Sequence, residues 1–457
     1  MDFEVLRARL GAGLIKDGEP GYDQARQVWN AMIDRRPAAI AKCQTPEDVS
    51  TALETARSAG LPVSIRGGGH NIAGSAVGDG TVMIDLSAMR SVVIDPHRRV
   101  ARVGGGATWA AFDAEAQRHG LATPGGVVSS TGVSGLTLGG GFGWLARQHG
   151  LSIDNLIALE MVLADGRIVS VSEDEKPDLF WAVRGGSGNF GVVTELTFQL
   201  HQVGPQVLFG PTFFALEDAR DVLTAYARHA SDLPRAGCVW ANLMTAPPAG
   251  VLPESVHGAK VLTLMQFHAD LESGRDDLSR LYGGVSPLGD ALSPRPFTEA
   301  QAFLDPAYEF GARNYWRTHN HLTLSADLID TLVSLARDLP TPESEILICQ
   351  LGGAIADIPS GATAFPHRQI PFMSTPGVRW QDPADDHRVI GWLKDVSDQL
   401  AAHSVPGCYV NFIAEAEGRS QDAYGDNLAR LTDVKQRYDP DNLFRVNQNV
   451  PPRLAHA

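Results

Sequence analysis

The chain has 457 residues, a length that suits two or three folding units, and its 53 acidic and 38 basic side chains leave a net charge of −15. That balance disfavours nucleic acid and anionic membrane surfaces as partners. With 44% hydrophobic and 20% charged residues the composition is globular, and four widely spaced cysteines without a CxxC pair imply neither a zinc site nor a disulfide framework and suit a reducing compartment.

The first twenty residues alternate charged and apolar side chains and lack the apolar run of a secretory signal; no window approaches 18 uninterrupted apolar residues, so a cytoplasmic protein is expected. Thr45 caps a predicted helix that stops at Gly60, and the Val63/Ile65 alternation marks a strand running into glycines. TVMIDLSAM and SVVIDP read as strands, and RVARVGGGATWAAFDAEAQRHG as strand, glycine loop and helix. Beyond residue 203 the glycine clusters give way to helical segments (LEDARDVLTAYARHASDL, SADLIDTLVSLARDL) among strands such as KVLTLMQFHA and SEILICQLGGA, which predicts a second domain on an antiparallel sheet. A final helix ends at Asp439 and Pro440, before an Asn-rich extension.

Glycine is the compositional outlier, at 47 of 457 residues, about 10% against a usual value of about 7%. Gly186, Gly188 and Gly191 match GxGxxG, but a helix or turn precedes them and a strand follows. A dinucleotide fingerprint needs the opposite order, with the pyrophosphate at a helix N-terminus, so a Rossmann site is rejected. Three other clusters, at 67–69, 104–106 and 139–141, expose successive backbone N–H groups that bind phosphate oxygens without lysine, and no lysine lies in them. Three such loops in one domain point to a large phosphate-bearing cofactor.

The series RGGGHNIAG (66–74), VGGGATW (103–109), GVSGLTLGGGFGWLARQHGLSIDN (132–155), LADGRIV (163–169), DLFWAVRGGSGNFGVVTELTF (178–198) and YDPDNLFRVNQN (438–449) resembles the FAD-linked oxidases of the berberine bridge enzyme-like group, within the vanillyl-alcohol oxidase and para-cresol methylhydroxylase superfamily. The resemblance covers the first 200 residues and the last 50; between them it rests mainly on AFPHR (364–368). It implies an α+β fold: a two-part FAD-binding domain (1–203 and 406–457) around an inserted substrate domain (204–405) built on an antiparallel sheet with helices.

In this family the histidine of the GGH motif is bonded to the flavin 8α-methyl carbon, which corresponds to His70. Many relatives add a cysteinyl thioether just before the GV(S/G)G run. Here the expected position, near Val128, holds no thiol, so a single link through His70 is implied. The family's cofactor contacts carry over to Arg66, Gly67, Gly68, Gly69, Asn71 and Gly74, and to Thr131, Gly132, Ser134, Gly135, Leu138, Gly139, Gly140, Gly141, Gly143, Trp144 and Asn155. Gly191, Val192 and Val193 are also carried over as cofactor contacts; the segment 185–192 would run alongside adenine and ribose, and Asn447, Gln448 and Asn449 would return to the flavin edge. Small Thr131 leaves room for dioxygen, an argument for an oxidase.

Such enzymes move a hydride from a substrate carbon to the flavin, and sugar-oxidising relatives present a tyrosine as base on the segment matching 408–413. That position falls on Phe412, which cannot accept a proton. An amine needs less help, since its nitrogen stabilises the iminium that forms. The remaining polar candidates are Gln350 and Asn411, with Tyr409 and Tyr315 as phenols. If 408–413 is a strand, Tyr409 and Asn411 face away from Phe412. The expectation is an FAD-dependent oxidase releasing hydrogen peroxide from dioxygen, slightly favouring an amine or alkaloid-like aromatic substrate; a sugar or secondary alcohol, or a flavin-containing protein that sequesters an aromatic ligand, stays open. His319 and His321 have HxH spacing without a third ligand, and no metal is predicted.

Overall fold

In the computed structural model, which describes residues 3–248, 250–415 and 418–453, the helix announced by Thr45 runs Pro46–Ser58. Its capping box is complete: the Thr45 hydroxyl accepts the Asp48 N–H, and the Asp48 carboxylate accepts those of Gln44 and Thr45. Val49, Ala52, Leu53 and Ala56 form its buried stripe. The helix belongs to a unit whose sheet orders the strands Leu14–Lys16, Ala39–Lys42, Val82–Asp85 and Val63–Arg66, the last three parallel. Strand Val63–Arg66 runs directly into Gly67–Gly69, so this sheet positions the first glycine loop.

A second, antiparallel sheet orders Val92–Asp95, Val100–Gly104, Val192–Gln199, Leu156–Val162 and Ile168–Ser172. Its strand Val100–Gly104 leads into the second glycine loop, where a Cβ on Gly106 would stand 1.7 Å from the Leu86 carbonyl oxygen. No other residue fits there. Helix Pro177–Val183 precedes Gly186–Gly191 and strand Val192–Gln199 follows, the order that excludes a Rossmann site.

Among the described residues a third sheet of nine strands, all antiparallel, is built between 206 and 380. Period-two alternation gives it two different faces. In Gly237–Thr245, Val239, Ala241 and Leu243 pack with helices Ala219–His229, Ala326–Ala336 and Asp386–Ala401, while Trp240, Asn242 and Met244 point the other way into a cavity. Ile346 and Ile348 lie under the helices, and Glu345 and Leu347 face the cavity.

The C-terminal helix Leu428–Tyr438 packs Leu431 and Val434 into the core that also holds Leu179, Phe180 and Val183. Lys435 and Asp439 form a fully buried ion pair at 2.6 Å; Lys435 Nζ also donates to the carbonyls of Asn189 and Phe444, and Asp439 accepts the N–H groups of Leu443 and Phe444. That knot returns the chain to the glycine loops. The expected strand over 408–413 is absent: Val410–Phe412 is a 3₁₀ turn. No helix of the described residues is long and apolar enough to cross a membrane.

Candidate active site

Of the three glycine clusters only 67–69 lines the cavity of about 690 Å³ between the two smaller sheets and the nine-stranded one; 104–106 packs against the backbone of Met89, Val193 and Leu86, and 139–141 stands behind the lining. The first loop touches the 131–135 segment backbone to backbone: a Cβ on Gly68 would lie 2.3 Å from Gly132 N, and one on Gly132 2.4 Å from Gly68 N. Gly135 and Gly188 instead face open space, with nothing within 4 Å of a Cβ. The lining contains no lysine, arginine or aspartate, and His70 and Glu345 are its only groups able to carry charge near neutral pH. An anionic ligand at this end must therefore be held by N–H and hydroxyl donors.

His70 stands on the wall at the end of the first glycine loop. Its ring stacks on Trp29 at 5.5 Å, meets the edge of Phe310 at 5.0 Å, and has Nε2 2.9 Å from Ser130 Oγ. Burial pushes its pKa down to about 4, so the imidazole is neutral at pH 7. A neutral nitrogen with a free lone pair is what bonding to an electrophilic carbon requires.

Of the residues expected to hold cofactor, Gly67, Gly68, Gly69, Asn71, Thr131, Gly132, Ser134, Gly135, Leu138, Trp144, Gly191, Val193, Asn447 and Gln448 line the cavity with His70. The others stand behind the lining. The Arg66 side chain is turned away into an ion pair with Asp85 at 2.6 Å and onto the carbonyls of Ala25 and Gln27. Gly74 packs against Ile33; Gly139, Gly140, Gly141 and Gly143 pack against Asn411, Phe365, Ser152 and the Gly125 carbonyl. Asn155 ties together the carbonyls of His149 and Leu151, and Val192 alternates with Val193 into the core. Asn449 keeps a buried amide oxygen without a partner outside the lining.

The substrate-side candidates need more correction. Because 410–412 is a turn, Tyr409, Asn411 and Phe412 all line the cavity, contrary to the strand expectation. Asn411 Nδ2 donates to the Tyr409 oxygen at 2.8 Å and to the Leu136 carbonyl, and Gly141 N–H donates to the same phenol oxygen at 3.0 Å. Burial pushes Tyr409 up to about 12, so it is no base near neutrality. Gln350 is not in the site: it shares the helix-covered face with Ile346 and Ile348, accepts Val239 N–H and donates to the Ala230 carbonyl. Tyr315 likewise alternates away from cavity-lining Trp316 and donates to the Glu415 carboxylate. His319 and His321 pair with Ser397, Ser374 and the His403 carbonyl; no group of three candidate ligands able to hold a metal exists among the described residues.

Phe412 meets Trp316, Tyr409 and Phe142 at 5.3, 5.0 and 5.8 Å, an aromatic wall on one side of the chamber. Facing into it are five residues not singled out in the sequence for chemistry: Glu345, Tyr308, Asn242, Thr263 and Thr375. Glu345 accepts hydrogen bonds from the Tyr308 phenol and, at 2.5 Å, from Asn242 Nδ2. Burial raises its pKa, against the lowering effect of those two donors. Asn242 Oδ1, Thr263 Oγ1 and Thr375 Oγ1 are buried without partners on the same walls. A lone acid opening the apolar run ILIC in the strand EILICQ was the available signal.

The cavity fits a flavin dinucleotide: a glycine cradle without basic side chains, open space at Gly135 and Gly188, and the unpaired buried amide oxygen of Asn447. Fold and cavity define a flavin-dependent oxidoreductase whose cavity is lined from both ends of the described chain. Residues 37–172 match the model of the FAD binding domain family, and residues 408–451 match that described as berberine and berberine like. The uncharacterized FAD-linked oxidoreductase YvdP of Bacillus subtilis (strain 168) is 30% identical over 97% of this chain and 99% of its own. (R)-6-hydroxynicotine oxidase of Paenarthrobacter nicotinovorans is 28% identical over 96% of both. The crystal structure of 6-hydroxy-D-nicotine oxidase from Arthrobacter nicotinovorans superposes with a TM-score of 0.85 at 27% identity, covering 96% of this chain and 98% of that one. The chain belongs to the berberine bridge enzyme-like family of FAD-linked oxidoreductases, and it is an FAD-dependent oxidase.

Proposed function

We propose that this oxidase acts on an amine carried by an aromatic or otherwise ring-bearing molecule, with FAD attached through His70 alone. The observation that carries the substrate reading is Glu345, the one acid in the chamber, set among aromatic walls and held by Tyr308 and Asn242. An ammonium entering this space pairs with the carboxylate. In a dry site the neutral acid and neutral amine are the cheaper pair, so Glu345, its proton affinity raised by burial, holds the proton that the amine gives up. The neutral amine then has the nitrogen lone pair that favours hydride loss from the adjacent carbon. FAD supplies the hydride acceptor and passes the electrons to dioxygen as hydrogen peroxide.

The alcohol reading lacks its phenol: Phe412 stands where one would act, and the Tyr409 oxygen already accepts two hydrogen bonds, so apart from His70 the one proton acceptor on the lining is the Glu345 carboxylate, whose charge selects an ammonium over a neutral hydroxyl. The link through His70 alone is supported by its neutral ring on the cavity wall and by the four cysteines, none of which lines it. Thr131 on the lining supports access of dioxygen to the flavin.

The test is an anaerobic screen of cyclic and aromatic amines against sugars and secondary alcohols, following loss of flavin colour and its return in air. Bleaching by amines is expected. Bleaching by alcohols alone overturns the substrate reading, and a ligand that shifts the spectrum without reducing the flavin points to sequestration. Flavin fluorescence on the denatured protein band, lost in His70→Ala, is expected for the covalent link.

A further inference from the structure

The ring of His70 has three neighbours, and only Ser130 touches a nitrogen: its Oγ lies 2.9 Å from Nε2, whereas Trp29 and Phe310 make ring contacts. Nδ1 makes no hydrogen bond among the described residues. A neutral imidazole bonds to carbon through the nitrogen that does not carry its proton, so whatever fixes the N–H selects the nucleophile. We propose that Ser130 is the positioning residue for cofactor attachment: its oxygen accepts the Nε2–H of His70 and leaves the Nδ1 lone pair to bond the flavin 8α-carbon. This rests on the reading that His70 carries the link.

The hydroxyl is mounted on a fixed turn. The Asp305 carboxylate accepts Ser129 N–H at 2.7 Å and Ser129 Oγ–H at 2.5 Å, Ala110 N–H donates to the Ser129 carbonyl, and Thr131 N–H donates to that of Val128. The substrate-side segment carrying Asp305 thus clamps the turn that faces His70. No charged side chain contributes to the lowered basicity of His70, which comes from burial. Beside the stacked face of Trp29, Ser130 is therefore the side chain whose oxygen is in place to stabilise the positive charge that grows on the ring.

Attachment breaks one C–H bond of the 8α-methyl group and the imidazole N–H bond, and forms one N–C bond. Two protons and two electrons are left on the flavin ring, and dioxygen removes them as hydrogen peroxide. The Nε2–H···Oγ contact is strongest as the N–C bond forms, when the ring is becoming cationic.

The experiment adds FAD in air to full-length wild type, Ser130→Ala and Ser130→Thr and follows flavin fluorescence retained on the denatured band, with total bound FAD measured by absorbance beforehand. At equal occupancy, attachment in Ser130→Ala is expected to be roughly tenfold slower, the worth of one hydrogen bond in the transition state, with Ser130→Thr near wild type. Attachment in Ser130→Ala at the wild-type rate overturns the proposal. NMR of the flavin peptide from wild type is a second readout that needs no variant: Nδ1 linkage is expected, and Nε2 linkage overturns the role given to Ser130. No retained flavin in wild type removes the His70 link itself and this proposal with it.

Discussion

Glu345 and Asp113 are both carboxyl groups whose proton affinity is raised by burial, yet burial has opposite meaning for the two. Glu345 faces the substrate chamber, so its raised proton affinity is useful chemistry. Glu345→Gln keeps the shape and removes the charge; kcat/KM for an amine is expected to fall about 100-fold, the scale of a charge-assisted contact. In wild type kcat/KM falls at acid pH as the carboxylate is protonated, and this limb is expected to vanish in the variant. An unchanged pH profile would place the proton elsewhere. Asp113 meets only Gln301 Nε2, and burial pushes it up to about 7 from 3.8. The folded group is neutral where the unfolded one is ionised, so its contribution to stability is full below about 3.8 and is lost as pH rises to about 7. Asp113→Asn should raise the melting temperature at pH 8 and leave it unchanged near pH 4, as thermal denaturation at the two pH values will read.

At the level of elements, the cradle depends on two loops with no room for side chains between them. Gly68→Ala drives a Cβ into the backbone of Gly132, and backbone cannot swing aside as a side chain can. The expected result is a protein with wild-type circular dichroism that takes up no FAD and is colourless as purified. Retained flavin would show that the loops can separate. The loop at 67–69 was legible in the sequence as glycines following a strand, whereas the equally glycine-rich 104–106 and 139–141 turn out to serve close packing behind the lining; the capped helix at Thr45 and the strand before Gly67 carried their own local signals. The substrate wall was less legible. Asn242, Tyr308 and Glu345 lie far apart along the chain; sheet register brings Asn242 and Glu345 together, and the turn Asp305–Ala307 delivers Tyr308 to them. Gln350 was misplaced although period two from Ile346 and Ile348 already assigned its face. The 410–412 turn was hidden because Tyr, Val, Phe and Ile favour strands locally, and tertiary contacts of Tyr409 and Asn411 override that preference.

For the molecule as a whole, the C-terminal helix is tied down by one fully buried ion pair. Lys435→Met removes a cation that also satisfies two carbonyls and strands Asp439 without its partner. A loss of about 3–5 kcal/mol is expected, read by chemical denaturation, with weaker flavin retention because Asn447 and Gln448 lie just beyond. Replacing both residues by Met and Leu should cost less than Lys435→Met alone, since no unpaired charge is left.

The cavity wall has a further consequence for how the protein is born. Its lining joins Gly67–Gly69 to Phe444, Val446, Asn447 and Gln448, segments at opposite ends of the described chain. A ribosome adds about 5–20 residues per second, so the first glycine loop waits many seconds for the strand of chain that completes its walls. FAD capture, and any bond to His70, is thereby an event of the finished polypeptide. Nascent chains stalled before residue 440 should emerge colourless however much FAD surrounds them.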